Sequence, residues 1–126
     1  MQYKDGVVID GLKHEITRIF NTLDDIFIEY KNRECIITEG MDTIGRRKTS
    51  LHHIGYAIDI RTNDFKSSKN LHRLYSELKY DLSLISKYYD VVLEKDHIHI
   101  EYDIYRENAY NEKIQNITQK KQKTIS

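Results

Sequence analysis

Asp90-Val91-Val92-Leu93-Glu94-Lys95-Asp96-His97-Ile98-His99-Ile100-Glu101-Tyr102 reads as two strands joined by a tight turn. Asp90–Leu93 is β-branched and apolar, as a half-buried strand requires. From His97 the residues alternate. His97, His99 and Glu101 share one face of a strand, and Ile98 and Ile100 share the other. The turn Glu94-Lys95-Asp96 is short and polar, so the two strands run antiparallel. One face of the pair is apolar and must be covered by other elements.

Working outward, Tyr56 to Arg61 shows the same alternation. Tyr56, Ile58 and Ile60 face one way; Ala57, Asp59 and Arg61 face the other. Cys35-Ile36-Ile37-Thr38 reads as a further buried strand, ended by Glu39-Gly40-Met41-Asp42. Two segments carry helical spacing instead. Leu12, Ile16, Ile19, Phe20, Leu23, Ile26, Phe27 and Tyr30 form one apolar stripe on a helix, with Asp10 as its cap. Leu71, Leu74, Leu78, Leu82 and Ile85 define a second helix that starts near Ser67 or Ser68. His14, His53 and His72 read as surface or filler residues. The first ten residues read as extended, around Val7-Val8-Ile9. The expected class is α+β, a small antiparallel sheet with helices packed on one side. Residues 1–103 form the expected single domain. Residues 104–126 form a polar extension, helical over 104–118 and frayed over 119–126.

Composition narrows the function classes. Lys+Arg and Asp+Glu balance at 20 each, which argues against a nucleic-acid binder, where a basic excess is expected. The one cysteine, Cys35, cannot form an internal disulfide. No stretch approaches the length of a membrane span, and the N-terminus lacks a signal-peptide pattern. The expectation is therefore a cytoplasmic protein as synthesised, without membrane insertion and monomeric.

The chemistry gathers in two stretches. The first is Ser50-Leu51-His52-His53-Ile54-Gly55-Tyr56-Ala57-Ile58-Asp59; the second is Glu94-Lys95-Asp96-His97-Ile98-His99. Asp is disfavoured in strands, so Asp59 needs a reason to be there. Small Ala57 leaves room beside it. Gly55 allows a tight turn, so His52 can fold back towards Asp59. If the two strands are neighbours, His52, Asp59 and one of His97 or His99 converge on one point. Two imidazoles and a carboxylate suit zinc, with a fourth position open to water.

The pattern Ser50-x-His52-x-x-Gly55-x-Ala57-x-Asp59, followed by Asp96-His97-x-His99, closely resembles zinc peptidases that cut bacterial peptidoglycan. These are the D-Ala-D-Ala carboxypeptidases and dipeptidases and the L-alanyl-D-glutamate peptidases of phage endolysins, which share the hedgehog/DD-peptidase fold. The likeness runs from Cys35 to Tyr102. It implies Zn2+ held by His52, Asp59 and His99, with Asp96 as general base. Glu94 with His97 is an alternative register for base and ligand. In the preferred register His97 would sit behind the ligands or donate to the transition state, and Ser50 would support the site by hydrogen bonding. Many members carry a carboxylate-binding arginine after the first core strand; Glu39-Gly40-Met41-Asp42 lacks one, and Arg46 or Arg47 would have to replace it.

The resemblance implies a zinc metallopeptidase acting on peptidoglycan stem peptides or cross-bridges, with a phage endolysin as one setting. A zinc-containing binding or virion structural protein of the same fold is the alternative. A metal-dependent nuclease fits poorly with the neutral charge.

Overall fold

The computed structural model describes residues 1–42 and 50–125. Five strands form one sheet: β1 (Gln2–Tyr3), β2 (Ile36–Glu39), β3 (Ala57–Arg61), β4 (Tyr89–Leu93) and β5 (His97–Tyr102). Their order across the sheet is β1-β2-β3-β5-β4. Helices α1 (His14–Thr17), α2 (Phe20–Lys31) and α3 (Ser68–Ile85) cover one face, and α4 (Ile104–Ile125) follows the last strand. The α+β class holds. The hairpin β4–β5 forms as its alternation requires, pairing Val91 with Ile100 and Leu93 with Ile98.

The sheet is mixed, which corrects the expectation of a purely antiparallel one. β1 runs parallel to β2, with Gln2 opposite Ile36 and Tyr3 opposite Ile37. The cause is connectivity. The chain leaves β1, crosses through α1 and α2, and returns to the neighbouring position, and a helical crossover returns a strand parallel. Strand β1 is two exposed residues long, and Val7-Val8-Ile9 lies outside any strand.

The stripe from Leu12 to Tyr30 also divides. The helix breaks at Arg18 and Ile19, where the Ile19 N–H bonds to Ile16 O at 3.3 Å, a three-residue step. Arg18 is held on the sheet side: its Nε donates to the Tyr89 hydroxyl at 2.7 Å, and its guanidinium stacks 5.5 Å from the rings of Tyr89 and Tyr102. Asp10 does not cap α1; Lys13 stands at that position without a side-chain cap. Helix α3 starts as expected, with Ser67 Oγ accepting from the Asn70 N–H at 3.1 Å. Helix α4 continues to Ile125, past the frayed end expected from 119.

Ile16, Ile19, Leu23 and Phe27 from the first helical pair meet Leu74, Leu78 and Leu82 from α3 over Ile58, Ile60, Ile98 and Ile100 of the sheet. All are fully buried. Each contributes about 1.5–3 kcal/mol by leaving water. With one face committed to the core, Ala57, Asp59 and Arg61 of β3 and His97, His99 and Glu101 of β5 are fixed on the other.

Candidate metal centre

Strand register sets the centre. β3 and β5 are antiparallel neighbours, and Asp59 lies directly opposite His99, Ala57 opposite Glu101, and Arg61 opposite His97. Asp59 and His99 therefore meet on the face away from the core. His99 Nδ1 lies 2.8 Å from Asp59 Oδ1.

His52 reaches the same oxygen from a different element. It sits on the 3-10 turn Leu51–Ile54 that leads into β3. Ser50 caps this turn, its hydroxyl accepting from the His52 N–H at 3.3 Å. Gly55 ends it with φ +85°, and a Cβ there would stand 2.2 Å from the Gly11 carbonyl oxygen. A glycine is thus required for both conformation and space. The turn swings the buried His52 ring under β3, with Nε2 3.2 Å from Asp59 Oδ1.

The outer nitrogens of both rings are occupied. His52 Nδ1–H donates to the Gly40 carbonyl at 2.9 Å. His99 Nε2–H points at Glu101 Oε2, 3.4 Å away. In the neutral rings this leaves lone pairs on His52 Nε2 and His99 Nδ1 aimed at a carboxylate oxygen. Three acceptors facing one another repel unless a cation sits among them. The metal-free protein answers with protons. Burial disfavours a charged His99, but its hydrogen bonds and charge interactions with Asp59 and Glu101 outweigh that and raise it to about 9. Burial pushes the Asp59 carboxyl up, yet hydrogen bonds from His52 and His99 and their charge hold it well below the usual carboxylate range.

A metal ion answers the same need. His52, Asp59 and His99 each offer one ligand atom, and these atoms lie within 4.8 Å of one another. The edge of a tetrahedron with ~2.0 Å bonds is about 3.3 Å, close to the observed 3.2 and 2.8 Å. The group could hold a metal ion. Gly40 and Glu101 supply the orienting partners that histidine ligands use.

The centre opens onto a cleft of about 500 Å³. His97 stands among three acids there. Its Nδ1 is 2.6 Å from Asp96 Oδ1, and its Nε2 is 3.5 Å from Glu94 Oε2 and 3.7 Å from Asp59 Oδ2. Backbone bonds pin this turn: Glu94 N–H to His97 O at 2.9 Å, and Thr62 N–H to Asp96 O at 3.3 Å. Lys4 and Arg61 also line the cleft. The turn thus brings Glu94, Asp96 and His97 to the mouth of the centre. Ser50 acts on the His52 backbone, behind the ligands. Arg46 and Arg47 lie outside the described residues.

Sequence reasoning missed three contributors. Arg61 was legible, since it shares a strand face with Asp59. Glu101 shares a face with His99 in the same way. Lys4 carried no signal, because its place depends on the parallel pairing of β1. Among the described residues, no helix is long and apolar enough to cross a membrane. No protein-family model, curated protein or solved structure matches the chain.

Proposed function

We propose that this chain is a zinc-dependent peptidase that hydrolyses peptide bonds of bacterial peptidoglycan, in stem peptides or cross-bridges. The observation that carries the reading is the convergence of His52 Nε2 and His99 Nδ1 on Asp59 Oδ1, at the wall of a cleft that also holds Glu39, Glu94 and Asp96. The peptidoglycan substrate rests on the likeness of the Ser50–Asp59 and Asp96–His99 motifs to the wall-cutting peptidases.

His52, Asp59 and His99 would hold the zinc. Zinc bound there supplies a Lewis acid and makes water acidic near neutral pH. The remaining chemistry belongs to the protein. Glu94 is better placed than Asp96 to take the proton from the attacking water. Its Oε2 approaches the same His97 nitrogen that faces Asp59, whereas Asp96 lies against the opposite nitrogen. Glu94 then delivers that proton to the leaving amine, as general acid following general base. Asp96 accepts from His97 Nδ1–H and fixes the ring, whose Nε2 faces Glu94 and Asp59 at the mouth of the centre. Arg61 holds a substrate carboxylate by its fork of donors, taking the place of the loop arginine the family pattern lacks. Lys4 adds a second positive charge to that wall of the cleft.

The test is release of soluble muropeptides from purified peptidoglycan. Zinc-loaded wild type should release them and chelated protein should not. Glu94→Gln should lose at least ~100-fold in rate with zinc content unchanged, and Asp96→Asn should lose less than ~10-fold. Full zinc occupancy without product from wild type would refute the peptidase reading and favour a zinc-containing binding protein.

A further inference from the structure

Beside the cleft at the metal centre lies a second hollow of about 310 Å³. The two share Lys4, Thr38 and Glu39, so they form one continuous depression across the edge of the sheet. Their linings differ in kind. Every residue lining the cleft is polar or charged. The hollow adds the apolar Val7, Val8 and Met41, and Val8 is 52% exposed. Its size reaches the lower end of the range for small-ligand sites, about 300–1,000 Å³.

The hollow is built onto the metal centre. The Met41 N–H donates to the Val8 carbonyl at 2.8 Å, which fastens the Val7–Val8 segment to the end of β2. Gly40 makes this approach possible, since a Cβ there would stand 2.4 Å from the Val8 carbonyl oxygen. The Gly40 carbonyl also accepts from His52 Nδ1–H. One residue thus lines the hollow and orients a metal ligand. Strand register gives the depression a direction. Glu39 lies opposite Asp59, and Ile37 opposite Ile60. Arg61 therefore lies beyond Asp59 towards one end of the strands, and Gly40 and Met41 lie beyond Glu39 towards the other.

We infer that this hollow is a substrate subsite for an aliphatic side chain on the amino side of the cut bond, which rests on the peptidase reading. Arg61 holds the substrate carboxylate on the carboxyl side of that bond. A peptide that runs from Arg61 over the metal centre then enters the hollow with the residues that precede the reacting carbonyl. Neighbouring strands stand about 4.8 Å apart and an extended chain advances about 3.4 Å per residue, so the space between the ends of β1 and β2 lies roughly two residues from Asp59. The occupant is the second residue before the cut. An aliphatic side chain there leaves water against Val7 and Val8. A charged one loses hydration on the same apolar surface.

Steady-state cleavage of soluble peptides built on the bond that wild type cuts in peptidoglycan tests it. The second residue before that bond is varied among glycine, leucine, lysine and aspartate. Zinc-loaded wild type should show a kcat/KM for the leucyl peptide at least ~10-fold above the glycyl peptide and above both charged ones. Val8→Asp should bring the leucyl peptide down to the glycyl level, with zinc content and thermal midpoint unchanged because Val8 is exposed. Val8→Ile should keep the preference. A wild type that cleaves all four peptides alike overturns the subsite and leaves the peptidase reading standing. So does a preference for the lysyl or aspartyl peptide, or a Val8→Asp protein that still prefers leucine. A zinc-loaded wild type that cleaves no peptide and releases nothing from peptidoglycan overturns the peptidase reading and the subsite with it.

Discussion

Metal uptake at this centre has to expel a proton, and that fixes its pH dependence. A ligating imidazole nitrogen is deprotonated, whereas in the metal-free protein His99 holds its second proton up to about pH 9. Below that value the protonated, metal-free form is favoured, so acid weakens binding. Asp59 stays ionised through the neutral range, because His52 and His99 depress its pKa despite burial, and it adds no slope there. Each pH unit below about 9 then lowers the apparent zinc affinity about ten-fold, or ~1.4 kcal/mol. From pH 8 to pH 7 a competition titration against a chromophoric chelator should show that ten-fold loss. Replacing Glu101 by Gln removes one of the groups that raise His99, so the fall should begin at lower pH. An affinity independent of pH between about 7 and 8.5 would refute the reasoning, since His99 would then be no ligand or would already be neutral.

The same linkage acts on stability without metal. His99 rises from 6.5 to about 9 on folding. The stabilisation is therefore fully present below about pH 6.5 and lost as pH rises through about 9, and its size is of the order of 3 kcal/mol; urea midpoints of chelated protein should fall between pH 7 and pH 9.5. Gly55→Ala should destabilise by more than ~2 kcal/mol, from positive φ and from the 2.2 Å approach to Gly11 O, and zinc affinity should fall with it because the turn carries His52. Arg61→Gln should raise KM for carboxylate-bearing peptides at least ~10-fold with little change in kcat, and a peptide with that carboxylate amidated should lose the difference. Leu78→Ala, in the fully buried core, should cost about 2–5 kcal/mol in equilibrium unfolding.

What could be read from the sequence was what repeats. The alternation of His97–Tyr102 and Ala57–Arg61 placed Asp59 and His99 on one face, and strand pairing then set them opposite each other. The role of Gly55 was legible because few residues tolerate its turn. Other features had no repeating signal. Gln2-Tyr3 is two exposed residues whose parallel pairing depends on the whole crossover. The break at Arg18–Ile19 stayed hidden because Ile16, Ile19 and Leu23 keep one buried face across it. The irregular register between Ile37 and Glu39 puts Glu39 opposite Asp59, and no alternation foretells it. The second bonds of the two imidazoles, to Gly40 and Glu101, appear only when the elements are assembled.

The central claim concerns three side chains and one ion, and anomalous diffraction at the zinc edge from zinc-soaked crystals tests it most directly. One peak should appear, at ~2.0–2.2 Å from His52 Nε2, an Asp59 carboxylate oxygen and His99 Nδ1, with its open side towards the cleft. A peak bound by His97 in place of His99, or no peak at full zinc saturation, would contradict it.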